Sequence, residues 1–271
     1  MTEKRIRHPH YHFSYPTTIS KHYSNILVVS IFVVICLLLA FHFLLPASHL
    51  NIGQLSWEVI FSDSLATVIR LIVAYVLALI VAIPLALIVV STPKVEKILL
   101  PFFDILQSVP ALAFFPFVVL IFIRFGMTEG AAIFILFMAM LWNIVFSTIG
   151  GLKSVPAEIT EAARIFKANG FKKLIFVTLP SIFPYMVTGS MLAFAQGWNI
   201  IIVAEVLHNY IPGGTASQDL PGLGSLLVSA SYTSNNAAFL AGLLVMVLII
   251  ATMNFFVWQR LLHYGQRFRF D

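Results

Sequence analysis

The chain has 271 residues, of which 60% are hydrophobic and 10% charged, and a mean hydropathy of +0.96; this composition excludes an ordinary water-soluble domain and predicts an integral membrane protein. The net charge of +5 does not indicate nucleic-acid binding, because the basic residues flank apolar segments, where they set the orientation of membrane proteins. The single cysteine, Cys36, excludes an intrachain disulfide and a thiolate metal site.

Six apolar segments are long enough to cross a bilayer core about 30 Å thick, which takes roughly 20 helical residues. In chain order they are Ile26 to Leu45, Ser64 to Val90, Leu99 to Ile123, Ala131 to Ile149, Val187 to Leu207 and Ala237 to Trp258. No clear small-residue cleavage site follows the first segment, so we expect a retained helix rather than a signal peptide. The sequence therefore predicts an all-α, polytopic membrane protein with about six transmembrane helices.

Fourteen of the sixteen Lys and Arg residues lie in the N-terminal arm, the second and fourth connections between spans, and the C-terminal tail. Six spans place these four regions on one side of the membrane, and the positive-inside rule makes that side cytoplasmic. We therefore expect a cytoplasmic arm over residues 1–25 and a cytoplasmic tail over residues 261–271. Between them we expect a transmembrane domain over residues 26–260 that carries a cytoplasmic loop over residues 150–186.

Three prolines interrupt the third span: Pro101, Pro110 and Pro116. They predict a short helix, a break around residues 107–110 and then the span proper. Broken backbone at membrane depth occurs only inside protein or beside an aqueous cavity, so Gln107 and Ser108 are candidate pathway residues. A proline kink that only shapes packing is an equally good explanation. Asp104, just before the break, is expected to pair with Lys94 or Lys97.

The loop after the fourth span has the pattern of a short amphipathic helix. Pro156 suits its first turn, and Asn169-Gly170 is predicted to stop it. A second, basic helix would then return to the membrane and end at Leu179-Pro180. Such a loop could also rest on the membrane surface. One face of the first helix collects the apolar residues Ile159, Ala162, Ala163 and Phe166.

Polar groups inside the spans are candidate functional residues because they are costly to place there. In the fifth span, Gln196 and Asn199 lie three residues apart with Trp198 beside them, and both amides can donate to an oxyanion. Hydrogen bonding between helices is the alternative that we favour for them. Glu205, near the outer end of this span, is expected to form a structural ion pair with Arg70.

With these residues the chain resembles the membrane permease subunits of binding-protein-dependent ATP-binding-cassette importers, in the nitrate, sulfonate and taurine branch. Their cytoplasmic loop carries a Glu-Ala-Ala signature followed by Leu-Pro, matched here by Glu161, Ala162, Ala163, Leu179 and Pro180. The likeness covers roughly residues 67–260 and includes the stretches SVPALAFFP, AQGWNIIIVAEVL and PGLGSLLVSA. One departure is Lys167, which stands where family members usually have glycine.

The resemblance implies the type I importer permease fold in a bacterial inner membrane, and a coupling helix that docks on a cytoplasmic ATPase. It implies two ATP-binding subunits, a second permease subunit of the same or a different chain, and a periplasmic substrate-binding protein. The implied cargo is a small, anionic solute such as nitrate, a sulfonate or taurine. The coupling residues would be Glu161, Ala162, Ala163, Arg164, Phe166, Lys167 and Gly170.

The chain itself is not expected to be an enzyme or to bind a cofactor. It has no GxxxxGK[ST] phosphate loop, so ATP and Mg would be held by the partner ATPase. An intramembrane enzyme is disfavoured because the sequence has neither an HExxH pair nor a GxSxG elbow. The alternative is a secondary transporter driven by an ion gradient, although six spans without an obvious inverted repeat do not favour it.

Overall fold

The computed structural model describes residues 56–268, so the N-terminal arm and the predicted first span lie outside the described residues. Apart from the connections between helices and three 3₁₀ turns, the last of them at the end of the final helix, these residues are α- or π-helical, and none of them lies in a strand. The all-α class predicted from the sequence is confirmed. The main helices are α1 (Trp57–Val90), α2 (Pro93–Ser108), α3 (Ala111–Arg124), α4 (Thr128–Ser154), α5 (Ala157–Ile165), α6 (Gly170–Glu205), α7 (Leu223–Tyr232) and α8 (Asn236–Phe268).

Within residues 56–268, four helices are long and apolar enough to cross a membrane: α1, α4, α6 and α8. The bent pair of α2 and α3 makes a fifth if it is counted as one span. These five elements coincide with the second to sixth predicted spans. Among the described helices, the short helix α5 lies at one end of the bundle and α7 lies at the other, and we refer to these as the α5 end and the α7 end.

Small residues let the central helices approach closely. Helix α1 presents a stripe of fully buried alanines, four residues apart, and it packs along α4. Helix α4 in turn packs along α6, where Gly189 lies directly against Ser147. Close backbone approach through small side chains is the usual way in which membrane helices associate. The alanines of the stripe are Ala74, Ala78, Ala82 and Ala86.

The break predicted in the third span is present. Helices α2 and α3 meet at an angle of 79°, with Val109 and Pro110 between them. Val109 is extended (φ −75°, ψ 123°), as the residue before a proline prefers, and Pro110 has no amide hydrogen with which to continue the helix. The proline therefore ends α2 and starts α3 in a new direction.

Two of the long helices are irregular near the α5 end. Helix α6 contains a π-helical turn over Leu174–Thr178, and α8 contains one over Asn254–Trp258. The last turns of α8 pack against α6 through Phe183, whose ring lies edge-on to those of Tyr264 and Phe268. This aromatic contact places the end of α8 beside α5.

Candidate functional site

Helix α5, which carries the Glu-Ala-Ala signature, ends in a Schellman turn. The amide of Ala168 donates to the carbonyl of Ala163 at 2.9 Å, and Lys167 has a φ of 55°. Glycine enters this left-handed region freely, whereas a residue with a Cβ does so at a cost of about 1–2 kcal/mol. Lys167 therefore makes the turn that a glycine would make, with some backbone strain.

The helix stop predicted at Asn169-Gly170 is wrong, because α5 ends four residues earlier, at Ile165. Asn169 is extended (φ −118°, ψ 156°) and precedes α6, while Gly170 (φ 54°) is the first residue of α6. These two residues start the second helix rather than stop the first. The sequence pointed to them because glycine is the usual left-handed residue, and a lysine in that role gives no signal.

Large apolar side chains are exposed around this turn. The exposed fractions are 79% for Ile165, 83% for Phe166 and 73% for Phe171, and we call these three residues the turn patch. Ala163, by contrast, is buried and Ala162 is half-buried. The alanines therefore attach α5 to the rest of the molecule, and the turn patch is available to a partner.

A groove of about 660 Å³ runs between α5, the π-helical turn of α6 and the end of α8. Of the residues expected to couple to an ATPase, Ala162, Ala163 and Phe166 line this groove. Glu161, Lys167 and Gly170 are exposed around it, and Arg164 lies within α5. The other lining residues are Ile159, Ala168, Phe176, Val177, Pro180, Ser181, Arg267 and Phe268.

The polar candidates of the fifth span divide between two faces of α6. Gln196 and Asn199 are exposed, in line with Thr188 and Leu192, which recur at helical spacing along the same face. Trp198 is partly buried and packs against the hydrophobic core instead. The structure therefore brings the two amides together on an open face and places the indole away from them.

At the break between α2 and α3, Gln107 and Ser108 are both exposed and both held by Asp104. Gln107 Nε2 donates to Asp104 Oδ1 at 2.7 Å, and Ser108 Oγ donates to the Asp104 carbonyl at 2.7 Å. The expected pairing of Asp104 with Lys94 or Lys97 is absent from the described salt bridges. Partners one helical turn away occupy Asp104 instead.

A buried ionic cluster lies at the α7 end. Arg70 Nη1 donates to Glu205 Oε1 at 2.9 Å. Arg70 also makes a bidentate interaction with Glu129, in which Nε donates to Oε2 at 2.7 Å and Nη2 donates to Oε1 at 2.8 Å. Arg70 Nη1 donates further to the Pro221 carbonyl at 2.8 Å. The guanidinium thus joins α1, α4, α6 and the segment before α7, in the fork geometry that suits arginine.

Glu205 is fully buried and its carboxylate is well supplied with donors. Thr67 Oγ1 donates to Oε1 at 2.7 Å, and the amide of Gly224, at the start of α7, donates to Oε2 at 2.7 Å. The hydroxyl of Thr67 in turn accepts from the amide of Leu223 at 2.9 Å. The cluster therefore fixes the start of α7 to the ends of α1 and α6.

Sequence reasoning paired Arg70 with Glu205 and missed Glu129 and Thr67. Glu129 lies two residues before the fourth predicted span, and Arg70 lies near the start of the second. The predicted topology places both near the outer side of the membrane, and this is the signal that could have paired them. Thr67 gives no such signal. Between residues 56 and 268, no three His, Cys, Asp or Glu side chains come together as a metal site would require.

Within residues 56–268, four helices of membrane length, or five with the bent pair of α2 and α3, define the class: a multi-span helical membrane protein. Residues 74–263 match the family of binding-protein-dependent transport system inner membrane components. The match covers well over half of the chain. The protein therefore belongs to this family and is a multi-pass protein of the inner membrane.

Several relatives are permeases of named transport systems. The bicarbonate transport system permease CmpB of Synechococcus elongatus is 29% identical over 57% of this chain and 54% of its own length. The nitrate import permease NrtB of Leptolyngbya laminosa is 28% identical over 57% and 50%. The taurine transport system permease TauC of Escherichia coli is 30% identical over 58% and 53%. The chain thus spans about half the length of each of these relatives.

The fold matches that of a chain in a solved transporter structure. A chain of the MetNI methionine ABC transporter, in an inward-facing conformation, superimposes with a TM-score of 0.62 at 17% identity. The superposition covers 77% of this chain and 97% of that chain. The predicted type I importer permease fold is therefore confirmed.

Proposed function

We propose that this protein is the transmembrane permease subunit of an ATP-driven importer, which forms the path for a small, anionic solute and couples to a separate ATPase. The turn patch carries this proposal: the large apolar side chains of Ile165, Phe166 and Phe171 are exposed where α5 ends and α6 begins. Membership of the binding-protein-dependent family supports it. A patch of this kind marks an interaction site for a protein or for a membrane surface, and membership of the family favours the protein.

The coupling helix docks on the ATPase through this patch. Phe166 acts as the apolar anchor for a pocket on the partner, because a large ring that is 83% exposed gains most from burial. Glu161, exposed on the same helix, supplies a charge at the rim. The chain has no phosphate loop, so ATP and Mg bind to the partner, of which two copies serve one importer.

The α5 end faces the cytoplasm in this proposal. The basic residues of residues 150–186 and Arg267, near the end of α8, lie at this end, as the positive-inside rule requires. Both chain termini are then cytoplasmic, and residues 26–260 form the transmembrane domain. The α7 end faces the periplasm, where a substrate-binding protein releases its substrate to the permease.

The open face of α6 lines the pathway. Gln196 and Asn199 lie in mid-span, and amides exposed to lipid there would be costly. A second permease subunit, of the same or a different chain, faces them across an aqueous path. Gln107 and Ser108, at the exposed break between α2 and α3, belong to the same path.

The proposed cargo is a small oxyanion or sulfonate. Bicarbonate, nitrate and taurine, the cargoes in the names of the relatives, share a compact head with hydrogen-bond-accepting oxygens. The amide groups of Gln196 and Asn199 offer matching donors.

Phe166→Ala tests the coupling. We expect loss of uptake and loss of co-purification with the ATPase, while the amount of protein in the membrane stays normal. Glu161→Lys should act in the same way. Phe61→Ala is the matched control, because Phe61 is a 73% exposed phenylalanine on α1, near the opposite end. Full uptake by the Phe166→Ala and Glu161→Lys variants at normal abundance would remove the coupling assignment.

A further inference from the structure

A second cavity, at the α7 end, has no part in the function proposed above. It measures about 360 Å³ and lies between the start of α1, the segment before α7 and α7 itself. None of its lining residues is Lys, Arg or His. Its polar lining residues are Asp63, Asp219, Ser225, Ser229, Thr233 and Asn235.

Asp63 is the charge in this cavity that has no partner among the described residues. The residue is 9% exposed, and no described residue between 56 and 268 forms a salt bridge or hydrogen bond with its carboxylate. The nearby Arg70 is held by Glu129 and Glu205. Asp219 is different, because His208 Nδ1 lies 2.7 Å from its Oδ2.

A carboxylate buried to this degree is unfavourable as an unpaired charge, and a cation that joins it removes that cost. The cavity offers further acceptors around it, since Ser225, Ser229 and Thr233 contribute hydroxyl oxygens. Calcium takes six to eight oxygen ligands, usually from several carboxylates, whereas of the two carboxylates here Asp219 is already engaged by His208. The chemistry fits one monovalent group that carries several N–H donors.

We propose that the cavity around Asp63 binds a single ammonium or guanidinium group. The Asp63 carboxylate neutralises the charge, and the hydroxyls of Ser225, Ser229 and Thr233 accept hydrogen bonds from the remaining N–H groups. The group comes from a free organic cation or from a lysine or arginine of the docked binding protein; the second source rests on the proposed function.

Methylammonium is the probe for the first experiment. The full chain is reconstituted in phosphatidylcholine nanodiscs, and its thermal unfolding midpoint is followed as methylammonium chloride is added. We expect a saturable rise. Tetramethylammonium chloride and sodium chloride at equal ionic strength should give none, because neither cation has an N–H donor.

Asp63→Asn should weaken methylammonium binding at least about tenfold. Glu58→Gln is the matched control, because it removes a carboxylate from the same end of α1, where Glu58 is exposed, and should leave the affinity unchanged. Ser229→Ala keeps the Asp63 charge and removes one hydrogen-bond acceptor, so it should weaken methylammonium binding by a smaller factor than Asp63→Asn. If Asp63→Asn does not fold, Ser229→Ala tests the proposal in its place.

Three results would overturn the proposal. They are no saturable rise for the natural sequence, an equal rise with tetramethylammonium or sodium, and a rise with calcium chloride that Asp63→Asn abolishes, which would indicate a metal site. None of these measurements requires transport or ATP, so their failure is distinct from failure of the proposed function.

A second experiment identifies the source of the group. The binding protein that works with this permease is titrated onto the nanodiscs with and without methylammonium. Competition by methylammonium, together with weaker docking to Asp63→Asn, assigns the group to a basic side chain. If neither methylammonium nor Asp63→Asn changes the docking of the binding protein, and the natural sequence still binds methylammonium, the cationic group belongs to a free organic cation.

Discussion

Arg70 stands at the centre of the largest polar cluster in the described part of the chain. It is 4% exposed, and its two carboxylate partners differ in burial, since the side chain of Glu205 is fully buried and that of Glu129 is 54% exposed. Removing the partner of a buried charge strongly lowers the stability of the protein, whereas breaking an ion pair with an exposed partner lowers it little. The two glutamates should therefore respond differently to the same substitution.

Glu205→Gln should lower the free energy of unfolding by about 3 kcal/mol, because it removes the charge that Arg70, Thr67 and the Gly224 amide all contact. Glu129→Gln is the matched control and should cost less than about 1 kcal/mol. Thermal unfolding in detergent measures both. Equal losses in the two variants would contradict the view that Glu205 carries the cluster.

Lys167→Gly should relieve the strain of the α5 turn and stabilise it by up to about 1 kcal/mol, because glycine adopts a φ near 55° without steric cost. Hydrogen exchange of the amides at the end of α5 should become slower, and uptake should persist. Lys172→Gly, in the first turn of α6, is the control and should destabilise. Faster exchange in Lys167→Gly would show that the lysine side chain, and not the backbone, sets the turn.

At this scale the sequence predicted only part of the site. Arg70 and Glu205 could be paired because opposite charges within apolar spans are costly unless they neutralise each other. Thr67 could not, because its role depends on contacts with residues more than 130 positions away. Lys167 stands where family members usually have glycine, but its residue type does not predict the left-handed backbone that it adopts.

Among the elements, the contact between α4 and α6 depends most on small residues. Any side chain larger than hydrogen at Gly189 would collide with Ser147. Gly189→Leu should therefore separate the two helices and lower stability by about 1–3 kcal/mol, as overpacking does. Gly150→Ala on α4 is the control, because a Cβ there meets nothing within 4 Å. Thermal unfolding measures the stability of both variants, and equal stability would contradict close packing at Gly189.

Prolines made the break between α2 and α3 predictable, because Pro110 cannot donate the hydrogen bond that a continuous helix needs. The π-helical turns of α6 and α8 could not be predicted in the same way. They depend on how each helix packs near the α5 end, and no residue type marks them.

For the whole molecule, hydropathy sufficed to find the five described spans, since each needs only length and apolar composition. The Glu-Ala-Ala signature and Leu-Pro then led to the family, which the match over residues 74–263 shows. The places of Glu129 and Thr67 in the ionic cluster required coordinates, because these residues reach Arg70 and Glu205 from separate helices. The exposure of Gln196 and Asn199 on α6 also required them, because it depends on how the neighbouring helices pack.

The central claim is that an ATPase bound at the α5 end drives uptake. The most direct test reconstitutes the permease with its ATPase and binding protein in liposomes and measures accumulation of labelled nitrate, bicarbonate and taurine. We predict uptake of one of them that requires ATP, persists when ionophores collapse the proton and sodium gradients, and is lost in Phe166→Ala. Uptake that follows an ion gradient and continues without ATP would contradict the account and favour a secondary transporter.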